Sequence, residues 1–150
     1  AGYYDNMTVH LLRMAVRVES IAHLREIQSE RVKAENNGGE GALFTYTRNI
    51  PRRSDELADG GSIYWVVKRL IRVRQPILGL HQQTNAEGRD YCAIELDPTH
   101  IQVEPQRQRA FQGWRYFRVE DAPPDLDTAQ SDSSDLPPEM AAELRELGLI

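Results

Sequence analysis

The sequence predicts an α+β fold: a curved, mainly antiparallel sheet with about three flanking helices. Three observations carry that reading. About six segments either alternate at period two or are rich in β-branched and aromatic residues. Three stretches carry helical spacing or helix start and stop residues. Strands and helices do not alternate regularly, as a parallel doubly wound sheet would require.

Thr8–Val16 reads as the first strand, with Val9, Leu11 and, less regularly, Met14 and Val16 apolar. Glu19–Glu35 reads as a helix, because Ile21, Leu24, Ile27 and Val32 fall in one stripe opposite Glu26, Glu30 and Lys33. The run Asn36-Asn37-Gly38-Gly39-Glu40-Gly41 ends it, since glycine and asparagine accept the left-handed conformation of a helix exit. Ala42–Ile50 alternates as a second strand. Pro51 suits the opening of a short helix over Arg52–Ala58, and Gly60 or Gly61 its end. Ser62–Gln75 is ambiguous by period but carries five β-branched residues and two aromatics, so it is expected to be extended, with Pro76 against a helix. A bend near Lys68 and Arg69 would alter the facing of everything downstream. Ile77–Gln82 and Asp90–Leu96 form a hairpin across Thr84–Gly88. His100–Val103 and Trp114–Val119 are short strands separated by polar Glu104–Arg109. Residues 122–135, rich in Pro, Asp and Ser, read as a loop, and 137–148 as a closing helix in which Met140, Leu144 and Leu147 share a face.

At 150 residues, 7–150 is expected to be a single domain, burying roughly 70% of its unfolded surface. No apolar run approaches the ~20 residues of a membrane span. No secretory leader is visible, and the lone Cys92 fits a reducing cytoplasm. Met7 reads as a natural start, with Ala1–Asn6 an upstream extension. The net charge of −5 is unevenly divided. Residues 48–118 hold twelve Lys/Arg against eight Asp/Glu, whereas 119–150 hold one against nine. The acidic total argues against indiscriminate nucleic-acid coating. The basic middle also holds Trp65 and Trp114, and a cationic aromatic surface suits an anion. The acidic tail is expected to compete for that surface.

Three clusters are candidates for it. On one continuous strand over 62–75, Tyr64, Lys68, Arg72 and Arg74 share a face, with Trp65 on the other. A ring beside guanidinium groups can stack a base while phosphates are neutralised; the competing reading is a solvated strand face with Trp65 in the core. Trp114 and Arg115 follow Gly113, pointing to opposite sides of a strand, so one of them can face a ligand. Arg48, Arg52 and Arg53 surround Pro51, where helix-opening N–H groups add positive potential. Catalytic signals are weaker. Gly60-Gly61-Ser62 has neither a phosphate-loop nor a nucleophile-elbow frame. Glu95 and Asp97 read as strand-end acids, and His10, His23, His81 and His100 lack metal-ligand spacing. No metal or cofactor is expected, and the sequence sets no oligomeric state.

The segments Met7-Thr8-Val9-His10-Leu11-Leu12, Asp59-Gly60-Gly61-Ser62-Ile63-Tyr64-Trp65-Val66-Val67-Lys68 and Phe111-Gln112-Gly113-Trp114-Arg115-Tyr116 carry a family resemblance. Arg74-Gln75, Ala122-Pro123-Pro124-Asp125-Leu126 and Leu147-Gly148-Leu149 carry it further. The chain resembles a bacterial family catalogued as domain of unknown function 1489, from about Met7 to Ile150. The resemblance implies a small cytoplasmic bacterial protein and supplies no activity or catalytic residues. A glycine commonly stands in that family where this chain has Arg69. At the level of fold the chain is also similar to PUA-like domains, the group that includes ASCH modules, which implies a small pseudobarrel of a kind that often binds RNA or modified bases. The expected function is therefore a non-catalytic module for an anionic ligand, RNA or a nucleotide, without membrane contact. The alternatives are a small hydrolase or transferase with a pocket near Gly60–Ser62 and Phe111–Tyr116, or a protein-interaction adaptor.

Overall fold

The computed structural model describes residues 8–126. In chain order the elements are β1 (Val9–Met14), α1 (Ile21–Glu35), β2 (Leu43–Thr47), α2 (Ser54–Ala58), β3 (Ser62–Val67), β4 (Leu70–Thr84), β5 (Asp90–Leu96), β6 (Ile101–Arg107) and β7 (Trp114–Arg118). Seven strands form one sheet with the path β2-β5-β4-β3-β1-β7, and β6 pairs with β4 beside that path. Every pairing is antiparallel except β1 with β3. The fold is α+β, as expected. It has two α-helices among the described residues rather than three; the expected closing helix at 137–148, and the loop beyond 126, lie outside them. No described helix is long and apolar enough to cross a membrane.

Helix α1 begins where Ser20 caps it, the Oγ accepting from the His23 N–H at 3.1 Å. It ends at Asn36, followed by Asn37 and Gly38 with φ of 53° and 87°. Ile21 and Leu24 are buried on the predicted stripe, together with polar Gln28. They pack with Leu57 of α2 on Leu11, Ile63, Trp65, Val73, Ile94 and Leu96, forming the larger core on one sheet face. Leu12, Tyr64, Val66, Ile71, Val103 and Phe117 form a second core on the other. At the α2 exit Gly60 takes φ 86°, and a Cβ on Gly61 would overlap the carbonyl oxygens of Leu57 and Val9.

The extended reading of 62–75 needs correction. Lys68 and Arg69, with φ of 50° and 67°, form a two-residue turn between paired Val67 and Leu70. Two left-handed residues in a two-residue hairpin loop are the type I′ geometry, which matches strand twist. The segment therefore folds back as β3 and β4. Every residue of β3 is buried, because both of its faces are covered by a core. Strand β4 then runs fifteen residues through Pro76, uniting residues 70–75 with the segment read separately as Ile77–Gln82. β5 and β6 follow one another along it, with register shifts at Ile77/Gly79 and Ile71/Val73. Strand β6 extends to Arg107, through most of the stretch expected to be a polar connection.

Left-handed backbone costs a side chain with a Cβ about 1–2 kcal/mol. Glycine at position 69, the residue implied by the resemblance, removes that cost and gives back part of it in unfolded-chain entropy. Arg69→Gly should raise stability by about 0.5–1 kcal/mol, seen as a higher urea midpoint at unchanged m-value. An unchanged or lower midpoint would contradict a strained turn.

Candidate functional site: the seam between β2 and β7

Inward positions of β1 run Val9, Leu11, Arg13, so a guanidinium stands where the alternation calls for an apolar side chain. Register places Arg13 between Trp65 of β3 and Trp114 of β7. Its Nη1 donates to Thr45 Oγ1 of β2 at 3.0 Å, a contact between strands that are not paired. Burial lowers the Arg13 pKa from its ordinary value, and nearby Arg31 lowers it further.

Strands β2 and β7 are the two ends of the sheet path. Between them lies a cleft of about 500 Å³, lined by Arg13, Tyr46-Thr47-Arg48-Asn49 and Gln112-Gly113-Trp114. Gly113, at φ 71°, makes the turn that delivers Trp114 to the start of β7. Trp114 meets Tyr116 edge-on at 5.1 Å and packs against the larger core. The Tyr116 hydroxyl accepts from the Arg53 N–H at 3.1 Å, and the Arg53 guanidinium, paired with Glu56, sits 5.3 Å over its ring. Arg48 and Arg52 are exposed beside these groups. On the β2 side, the Tyr46 hydroxyl donates to the Glu35 carboxylate at 3.0 Å. Burial, and then Glu35, push its pKa up to about 12.

The cluster expected on 64–74 is not assembled here. Tyr64 is 4% exposed, set edge-on against His10 and Phe117 at 5.0 and 5.3 Å, so its face is unavailable for stacking. Trp65 is 7% exposed, and its indole N–H donates to Gln75 Oε1 at 2.9 Å. Lys68 lies in the turn, 2.7 Å from Glu19. Arg72 is half-buried at the β4 irregularity, and burial lowers its pKa. Arg74 makes two 2.8 Å bonds to Asp125 and a third, 2.9 Å, to Ser62 Oγ. Arg115 stacks 4.1 Å over Phe111, on the face opposite Trp114. Of the ten expected residues, Arg48 and Trp114 line the seam, with Arg52 and Arg53 alongside. Arg13 and Tyr46 were missed, although a charge at an inward strand position marks Arg13 in the sequence.

A second cleft of about 650 Å³ is lined by α1, residues 38–41, Leu43, Pro98 and His100. At its margin Gln28 and Gln75 exchange amide hydrogen bonds of 2.8 and 3.2 Å. His100 lies 2.7 Å from Gln28 Oε1, and Gln75 also donates to the Asp97 carbonyl at 3.1 Å. Groups suited to nucleophilic chemistry are shut in. Ser62 is 1% exposed, with its Oγ on Arg74, and Cys92 is buried with its pKa raised by that burial. No cluster of His, Cys, Asp and Glu among the described residues could hold a metal.

The family model described as Protein of unknown function (DUF1489) matches residues 11–150. No curated protein and no solved structure matches the chain.

Proposed function

We propose that this chain, which belongs to the DUF1489 family, is a non-catalytic binding module whose β2–β7 cleft takes an anionic ligand with a flat ring, RNA or a nucleotide. One observation carries the reading: Arg13 offers a half-buried guanidinium to the cleft, bonded to a hydroxyl and, among the described residues, to no carboxylate. Such a group has lost hydration without gaining a counter-charge, and a phosphate restores both. Arg48 adds a second cation, while Trp114 and Tyr46 offer rings. The enzyme alternative draws less support, because Ser62 and Cys92 are inaccessible. We also propose that the sheet is a PUA-like pseudobarrel left open at this seam, and that the protein works in a bacterial cytoplasm.

Hydrogen bonds to charged groups are worth about 1.5–3 kcal/mol. Arg13→Gln should therefore weaken binding of uridine monophosphate roughly 10- to 150-fold by titration calorimetry. Arg74→Gln, which alters a cation already held by Asp125, should leave it unchanged. Equal affinity in wild type and Arg13→Gln, or no binding even at low salt, would overturn the assignment.

A further inference from the structure

The sheet face next to the seam carries a row of four rings. Phe44 and Tyr46 occupy the outward positions of β2, between the inward Leu43, Thr45 and Thr47. Tyr91 comes from β5 and His81 from β4. Centroids are separated by 5.9 Å from Tyr91 to Tyr46, 6.3 Å from Tyr46 to Phe44, and 6.5 Å from Phe44 to His81. Register sets Ala93 opposite both Tyr46 and His81. It is 1% exposed, so the rings cover it, and its small side chain lets them lie low across three strands. Phe44, Tyr46 and Tyr91 are half-buried and His81 is exposed.

Cross-strand aromatic pairs also stabilise an ordinary sheet surface. Continuity distinguishes this row, because Tyr46 belongs both to it and to the seam. Arg48 follows directly after the end of that strand, and Arg31 acts electrostatically on Arg13 and Tyr46 alike. A cationic cleft running into a strip of rings matches the way single strands are held, with phosphates neutralised at one place and bases stacked along the rest. The carboxylates beside the row are engaged, Glu35 by the Tyr46 hydroxyl and Glu95 by His81 at 3.6 Å. The row therefore adds stacking rather than further phosphate contacts.

We infer, resting on the cleft reading above, that the ligand is a single strand of RNA, with a phosphate between Arg13 and Arg48 and successive bases along the Tyr91–Tyr46–Phe44–His81 row. Anisotropy titrations of the full chain with labelled hexauridylate, uridine monophosphate as competitor, test it. Hexauridylate should bind at least about tenfold more tightly than the monophosphate, because each stacked base contributes roughly 5- to 150-fold. Phe44→Leu and Tyr91→Leu keep apolar cover while removing a ring face. Each should cut hexauridylate affinity by a factor in that range and leave the monophosphate unaffected. His81→Ala, on an exposed side chain, gives the same readout without touching a core. A paired RNA duplex of equal length should compete poorly, its bases being unavailable.

Equal affinity for the monophosphate and hexauridylate, or Leu and Ala variants that bind hexauridylate like wild type, would overturn the row. Equal competition by the duplex would do the same by showing that charge alone is read. In each case a monophosphate affinity still dependent on Arg13 leaves the cleft reading standing. Loss of that dependence removes both.

Discussion

Replacing Gln75 with leucine should destabilise the protein by about 3–6 kcal/mol, a large part of the 5–15 kcal/mol typical of a domain. Gln75 is fully buried and serves four partners at once: the Trp65 indole, both ends of the Gln28 amide, and the Asp97 carbonyl. Leucine fills nearly the same volume, so the loss is one of hydrogen bonds rather than packing. Each buried polar group left without its partner costs about 1–3 kcal/mol. The Trp65 N–H, the Gln28 amide N–H and the Asp97 carbonyl would all be affected. Urea unfolding followed by tryptophan fluorescence measures the change. Gln28→Leu in the same background should recover part of it, because removing both partners costs less than orphaning one. A loss below about 1 kcal/mol for the single variant would mean that water replaces the amide, contrary to a closed network.

Acid should weaken the fold through His10 before the carboxylates titrate. The His10 Nδ1 accepts the Ser62 N–H at 2.9 Å, which requires a bare ring nitrogen. Burial, and then the Arg74 charge, hold its pKa down from 6.5 to about 4. The unfolded chain takes up this proton at about 6.5, so the contribution is complete above that pH. It is lost as pH falls toward 4, at about 1.4 kcal/mol per pH unit, or about 3 kcal/mol in all. His100, also lowered by burial, acts in the same direction. The difference between wild type and His10→Asn isolates His10, since asparagine offers an acceptor near Nδ1 and does not titrate. The variant should lose less stability between about pH 7 and pH 4. Parallel pH profiles for the two proteins would refute the assignment.

Much of the fold was legible because its signals are local. The α1 stripe with its Asn-Gly exit, the alternation of β2 and the turn before β5 each lie within one element. The hairpin at Lys68–Arg69 reads in the sequence only as a bend in one strand, because neither residue is the glycine or asparagine that announces a left-handed turn. That miss carried the binding cluster with it. Alternation puts Tyr64 on a solvent face only if β3 has one, and here the larger core covers one side and a second core the other. Arg74 looked available because the carboxylate that holds it, Asp125, is 51 residues away in sequence. Arg13 could have been found, since it breaks the inward row of β1; the unevenness of charge drew attention instead to 48–118. The seam itself depends on β1 lying beside β7, a pairing that no local pattern announces.

That pairing joins the first and last strands of the described chain. During synthesis, residues 9–107 can emerge with β3, β4, β5 and β6 already able to pair, while one edge of β1 waits for residues 114–118. One wall of the Arg13 cleft is supplied by Gln112–Trp114, so the cleft cannot exist on a shorter nascent chain. The proposed ligand capture therefore requires translation to have passed Trp114, and a ribosome-bound fragment ending before β7 would leave the half-built seam exposed.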